Sequence, residues 1–83
     1  MKIQLRYFAS LREALGPSEN VEVPEGGTVG GLRDLLLARG GQHAELLSRH
    51  RAVRCALNQA LCDESAVLRE GAEVAFFPPV TGG

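Results

Sequence analysis

Hydrophobic and polar residues alternate at the start of this chain, recur at helical spacing in its middle, and give way near its end to an unbroken apolar run, Val74-Ala75-Phe76-Phe77. At the N-terminus Ile3, Leu5 and Tyr7 alternate with Lys2, Gln4 and Arg6, the period of a strand with one face in a core. Phe8 falls on the otherwise polar face, where a large aromatic either packs under the following helix or meets a partner. Ser10-Leu11-Arg12-Glu13 reads as a capping box, with Ser10 as N-cap and Glu13 reaching back. The helix it opens carries Leu11, Ala14 and Leu15 on one face, and Gly16-Pro17 stops it within two turns. Residues 20–24 form a second alternating strand, joined so closely to the first that antiparallel pairing is the simplest arrangement.

Glu25-Gly26-Gly27 marks a turn, and Thr28 is placed to cap the main helix. Val29, Leu32, Leu35 and Leu36 share one face of it, with Arg33, Asp34 and Arg39 pointing elsewhere. Gly30 and Gly31 cost about 1 kcal/mol each in a helix relative to alanine. Either the helix starts late or something packs close to them. Gly40-Gly41 ends this helix, and Ala44, Leu46 and Leu47 suggest a short second one. Residues 52–58 read as a strand with Val53, Cys55 and Leu57 inward. Asn58-Gln59 is a turn, and Ala60-Leu61-Cys62 a short edge strand. Across residues 63–72 Val67 and Leu68 are expected to tuck in, and Glu70-Gly71 turns the chain. The last strand is Glu73–Phe77, central in its sheet. Its parity puts Val74 and Phe76 on one face and Ala75 and Phe77 on the other. Only one of the two phenylalanines can therefore be in the core. The fold class is α+β: a mixed sheet packed against one main helix.

Beyond residues 1–77 runs an extended tail, residues 78–83, that ends on Gly82-Gly83. Pro78 and Pro79 cannot donate to a sheet and hold φ fixed, so the tail should leave the domain straight. From Pro78 to Gly83 it reaches about 20 Å at most. Val80 and Thr81 act as spacers, and Gly82 and Gly83 fit a channel too narrow for side chains. The distinctive group at the tip is the α-carboxylate of Gly83, expected to be presented to the active sites of other proteins.

Composition narrows the partners. At 83 residues with a net charge of −1, the chain makes one domain with no field to steer nucleic acid or an anionic membrane. The run Arg49-His50-Arg51 with Arg54 lacks interleaved aromatics, so nucleic-acid binding is not expected. No apolar run approaches the roughly 20 residues of a membrane span, and the alternating N-terminus is no signal peptide. A cytoplasmic protein with reduced thiols is expected.

Candidate catalytic chemistry is sparse. Cys55 and Cys62 are too far apart in sequence for a CxxC pair and wrongly spaced for zinc. Cys55 reads as a small core hydrophobe, and a redox role stays open for Cys62. His43 and His50 would share a face only if residues 43–50 were one helix, and no ligands stand beside them. No metal site is expected. Gly26 and Gly31 have phosphate-loop spacing, but Leu32-Arg33 follows where Lys-Ser/Thr is required. The domain looks too poorly equipped to catalyse alone.

The ending Glu73-Val74-Ala75-Phe76-Phe77-Pro78-Pro79-Val80-Thr81-Gly82-Gly83 resembles that of the small, sulfur-carrying subunits of molybdopterin synthase. Tyr7-Phe8-Ala9-Ser10-Leu11-Arg12-Glu13-Ala14-Leu15-Gly16 is similar to that family's opening, and Asn58-Gln59-Ala60-Leu61 to its turn before the edge strand. The resemblance implies a ubiquitin-like β-grasp fold. It also implies that an adenylating partner, using ATP, activates the Gly83 carboxylate and a sulfur donor converts it to a thiocarboxylate. Inserted in the large synthase subunit, that group would give its sulfur to a cyclic pyranopterin precursor, building the molybdopterin dithiolene. Catalytic side chains would then lie on the large subunit, in a heterotetramer with two copies of each chain, and no cofactor would be bound by this chain. The family's docking patch matches Phe8, Leu61 and Phe77. Open alternatives are a carrier for thiamin or tRNA thiolation, a ubiquitin-like protein modifier, and a plain interaction domain.

Overall fold

The alternation at the N-terminus becomes β1 (Lys2–Tyr7), with Ile3, Leu5 and Tyr7 at most 1% exposed. The computed structural model describes residues 1–79. Sheet pairing extends one residue past β1: the Phe8 N–H donates to the Phe76 carbonyl at 3.2 Å. That bond decides where the next helix starts. Phe8 stays extended as its N-cap, and α1 (Ala9–Leu15) begins at once, with the Phe8 carbonyl accepting from the Leu11 and Arg12 N–H groups. The expected capping box therefore does not form. Ser10 lies inside the helix, and no side chain caps it.

Next comes β2 (Ser18–Glu22), two residues earlier than the alternation suggested and antiparallel to β1. α2 (Val29–Leu37) starts where expected, with Thr28 Oγ1 accepting from the Gly31 N–H at 3.1 Å. Val29, Leu32 and Leu36 are buried against the sheet, but Leu35 is 45% exposed and Arg33 only 4%. Helical geometry accounts for the exchange. Arg33 stands about 70° from the centre of the Val29-Leu32-Leu36 stripe, Leu35 about 90° away on the other side. α3 (Gly41–Leu46) is a short helix whose cap, Leu47, is fully buried. Because it ends at Leu46, His43 and His50 share no helix face.

β3 (Arg54–Leu57) and β4 (Ala60–Cys62) form a hairpin across Asn58 and Gln59, both at positive φ as a two-residue hairpin turn requires. In the segment that follows, Leu68 is buried but Val67 is 58% exposed. Adjacent residues of an extended stretch point opposite ways, so only one of the two could turn inward. β5 (Glu73–Phe77) completes the sheet in the order β2-β1-β5-β3-β4. It runs parallel to β1, while all other pairs are antiparallel. β5 is thus central, as expected. The helices cover one sheet face, and the core lies between them: Ile3, Leu5, Tyr7, Val74 and Phe76 against Val29, Leu32, Leu36 and Leu11. Among the described residues no helix is long and apolar enough to cross a membrane.

Candidate functional site

Strand parity builds the site on the face away from the helices. Phe76 is fully buried, whereas Phe77 faces outward and is half-buried. In the registers Ala75 opposes Arg6 of β1 and Ala56 of β3, and Ala56 opposes Leu61 of β4. Phe8 continues the outward parity of β1 at 36% exposure, and Leu61 is 69% exposed. The structure thus brings Phe8, Leu61 and Phe77, far apart in sequence, around one hollow of about 330 Å³. The small side chains of Ala56 and Ala75 make its floor, with Arg6, Gln59 and Glu73 at the rim. The Arg6 guanidinium lies over the Phe8 ring, 5.2 Å from its centroid, a cation–π contact that orients the exposed aromatic. Exposed aromatic and aliphatic groups around a shallow hollow, rimmed by both charge signs, can receive an apolar partner side chain and fix its orientation.

The same strand leads to the tail. Paired on both sides and anchored by buried Val74 and Phe76, β5 gives Pro78 and Pro79 a fixed base. Pro78 is half-buried and Pro79 exposed. The remaining tail expectations, on Val80, Thr81, Gly82 and Gly83, lie outside the described residues.

Sequence reasoning missed three groupings. The first explains one of the two glycines of α2, Gly30. The Gly30 N–H donates to the Glu64 carbonyl at 2.9 Å and the Val29 N–H to the Ala66 carbonyl at 3.0 Å. A Cβ on Gly30 would stand 3.0–3.2 Å from atoms of Glu64. Close packing, not a late helix start, selects glycine there. The second is an ion network behind the sheet. Buried Arg33 donates to the Leu47 and Ser48 carbonyls at 2.7 and 2.9 Å and to Glu64 at 3.1 Å. Arg49 joins Glu64 and Asp34, each at 2.6 Å. The hydrogen bond from Arg49, aided by the charges of Arg49 and Arg33, holds the Glu64 carboxyl below the usual carboxylate range. The only sequence cue was that Arg33 borders the apolar stripe. The third is the cross-strand pair Cys55–Cys62. Here a signal was available, because a two-residue turn at Asn58-Gln59 sets 57 against 60 and so 55 against 62.

A mixed five-stranded sheet wrapped over a main helix, with a central last strand leading to the tail, is the ubiquitin-like β-grasp fold. SAMP1, a small archaeal modifier protein of Haloferax volcanii, superposes with TM-score 0.80 and 28% identity over all of both chains. A Helicobacter pylori complex of subunits 1 and 2 of molybdopterin-converting factor contributes a fold match over all of both chains, with TM-score 0.72 and 23% identity. Within that class the chain belongs to the ThiS family, whose sequence profile matches residues 5–83. The chain is 40% identical to the molybdopterin synthase sulfur carrier subunit of Mycobacterium tuberculosis, over 100% of this chain and 99% of the relative. To the subunit of the same name from Escherichia coli it is 37% identical, over 98% of this chain and 99% of that one.

Proposed function

We propose that this chain is the sulfur carrier subunit of a molybdopterin synthase, with Gly83 as the group that carries the sulfur. The observation that carries the reading is the double use of β5: its outward Phe77 centres an apolar docking hollow, and its end feeds directly into Pro78-Pro79. A partner that grips the hollow is thereby set at a fixed distance from the root of the tail. The prolines end the sheet because they offer no N–H and hold φ fixed. Val80, Thr81 and Gly82 then carry the tip into the partner.

A carboxylate is a poor electrophile. The adenylating partner joins the Gly83 carboxylate to AMP, releasing pyrophosphate from ATP. A sulfur donor displaces AMP and leaves a thiocarboxylate. That sulfur, anionic and nucleophilic as a thiolate is, bonds to the pyranopterin precursor in the large subunit. Water then cleaves the acyl C–S bond, which leaves the sulfur on the precursor and returns Gly83 as carboxylate. The body of this chain supplies recognition and reach, while the large subunit supplies the catalytic side chains. The assembly has two copies of each chain and works in the cytoplasm.

The test is the intact mass of the full chain after incubation with ATP, the activating enzyme and sulfide. We expect a gain equal to the exchange of one oxygen for sulfur, placed on the peptide that contains Gly83. An unchanged mass, with the activating enzyme active on a known carrier, would refute the reading. Full-length likeness to SAMP1 favours one second reading, a protein modifier joined to target lysines. A ladder of conjugates in cell extract, with no thiocarboxylate, would establish that instead.

A further inference from the structure

On the sheet face opposite Phe77, β3 and β4 hold two thiols side by side. Cys55 and Cys62 are direct cross-strand partners, with Sγ atoms 3.7 Å apart. Opposed residues of an antiparallel pair have Cα atoms about 4.5–5.5 Å apart, inside the roughly 4.4–6.8 Å that a disulfide spans. Rotation of the two side chains therefore suffices to bring the sulfurs to bonding distance. The pair is also reachable. Cys55 is buried and Cys62 half-buried, and both line a cavity of about 390 Å³ with Arg33, Arg54, Glu64 and Pro79.

We propose that Cys55 and Cys62 form a thiol–disulfide site, oxidised by a low-molecular-weight disulfide that enters through this cavity. Cys62 reacts first, being the more open of the two. Its thiolate attacks one sulfur of the small disulfide, whose S–S bond breaks, and the leaving thiolate takes up the proton that Cys62 lost. Cys55 is a weak nucleophile beforehand, because burial foremost, and the Cys62 thiol beside it, push its pKa up to about 12. In the mixed disulfide its target is already in contact. Cys55 gives up its proton and attacks the Cys62 sulfur, and the second small thiolate leaves and is protonated. In sum, two protein thiols lose two electrons and two protons, and one small disulfide becomes two thiols.

The bond would tie the edge strand β4 to β3, and with it Leu61, the residue before Cys62. The thiol chemistry itself stands apart from the sulfur-carrier reading, since it involves neither Gly83 nor the outer face.

The test uses the reduced full chain, incubated without oxygen in glutathione buffers of increasing oxidised fraction and then alkylated. Trypsin releases Cys55–Arg69 as one peptide that contains both thiols. We expect that peptide to lose two hydrogens and escape alkylation, with the chain still monomeric. We expect Cys55→Ala to stop at one glutathionyl group on Cys62, and Cys62→Ala to stay unmodified while folded. A stable glutathionyl adduct on the parent chain, disulfide-linked dimers, or two free thiols in the most oxidising buffer would overturn the proposal. The parent peptide decides the matter by itself if either variant fails to fold.

Discussion

Phe76 and Phe77 are neighbours in β5 with opposite fates, so truncating each in turn separates folding from docking. Phe76 is 0% exposed. Its replacement by alanine leaves a core cavity and costs about 3–5 kcal/mol. A domain of this size is stable by only about 4–12 kcal/mol, and each kcal/mol moves Tm by about 4–8 °C. Phe76→Ala should therefore be crippled as a folded protein. Phe77 faces outward, but the larger part of it is already buried on that face. Taking about three-quarters of the about 1.5–3 kcal/mol for complete burial of such a side chain, Phe77→Ala should lose about 1–2 kcal/mol of stability. The exposed remainder is what a partner can cover. An aromatic at the centre of an interface is worth about 2 kcal/mol or more, so affinity for the large subunit should fall about 30-fold. Leu61 is 69% exposed, and Leu61→Ala should change stability by no more than about 0.5 kcal/mol while weakening docking about fivefold. Thermal denaturation followed by circular dichroism gives the first quantity, and titration calorimetry against the large subunit the second. If Phe77→Ala melts as low as Phe76→Ala, the parity argument is wrong. If Phe77→Ala and Leu61→Ala both bind within about twofold of the parent, the hollow is not the docking surface.

The two glycines of α2 should respond in opposite senses. A Cβ on Gly31 meets only Thr28 Oγ1, at 3.5 Å, so Gly31→Ala should stabilise by about 0.4–1 kcal/mol in urea unfolding. Gly30→Ala must push back the Glu64 segment and should lose about 1–2 kcal/mol net of the helix gain. A stabilised Gly30→Ala would show that the close approach yields freely and does not select glycine. Glu64 carries an acid dependence. Its folded pKa is depressed by Arg49 first and Arg33 next, so its contribution is complete above the unfolded value of about 4.3 and fades as pH drops through the folded value. Glu64→Gln should thus be about 1 kcal/mol less stable near pH 7, discounted for solvent screening, with the gap closing towards about pH 2. A gap that stays constant over that range would mean the carboxylate's charge contributes nothing.

What could be read before folding, and what could not, divides along a physical line. Strands with one buried face write their parity into the sequence, so Ile3, Leu5 and Tyr7 were legible as core. The same rule put Phe8 on the polar face and set Phe76 opposite Phe77, but parity left open whether Phe8 packed under the helix and which of the two phenylalanines was buried. Only the family likeness pointed to Phe8 and Phe77 as the outward pair. Leu61 entered through family likeness, and the Asn58-Gln59 register now gives it a geometric reason. Features set by backbone partners from elsewhere left no trace. The Ser10 cap was lost because β5 claims the Phe8 N–H. Arg33 looked like a surface residue because two of its acceptors are the main-chain carbonyls of Leu47 and Ser48, which any residue type would supply. The floor of the hollow was equally silent. Ala56 and Ala75 read as unremarkable strand residues, and their small size matters only once the sheet places them between Phe8, Leu61 and Phe77.

Register links the body to the tail. A slip of one residue in β5 would send Phe77 into the core and turn Phe76 outward, and it would move Pro78 to the opposite side of the sheet. Such a slip is opposed along both edges of the strand, by four register pairs to β1 and four to β3. It is opposed again by Val74 and Phe76, which are fully buried. An edge strand would have only one such ladder and could fray under the pull of a docked partner. The central position of β5 therefore does more than complete a core: it fixes which aromatic faces outward and from which side of the sheet the prolines depart.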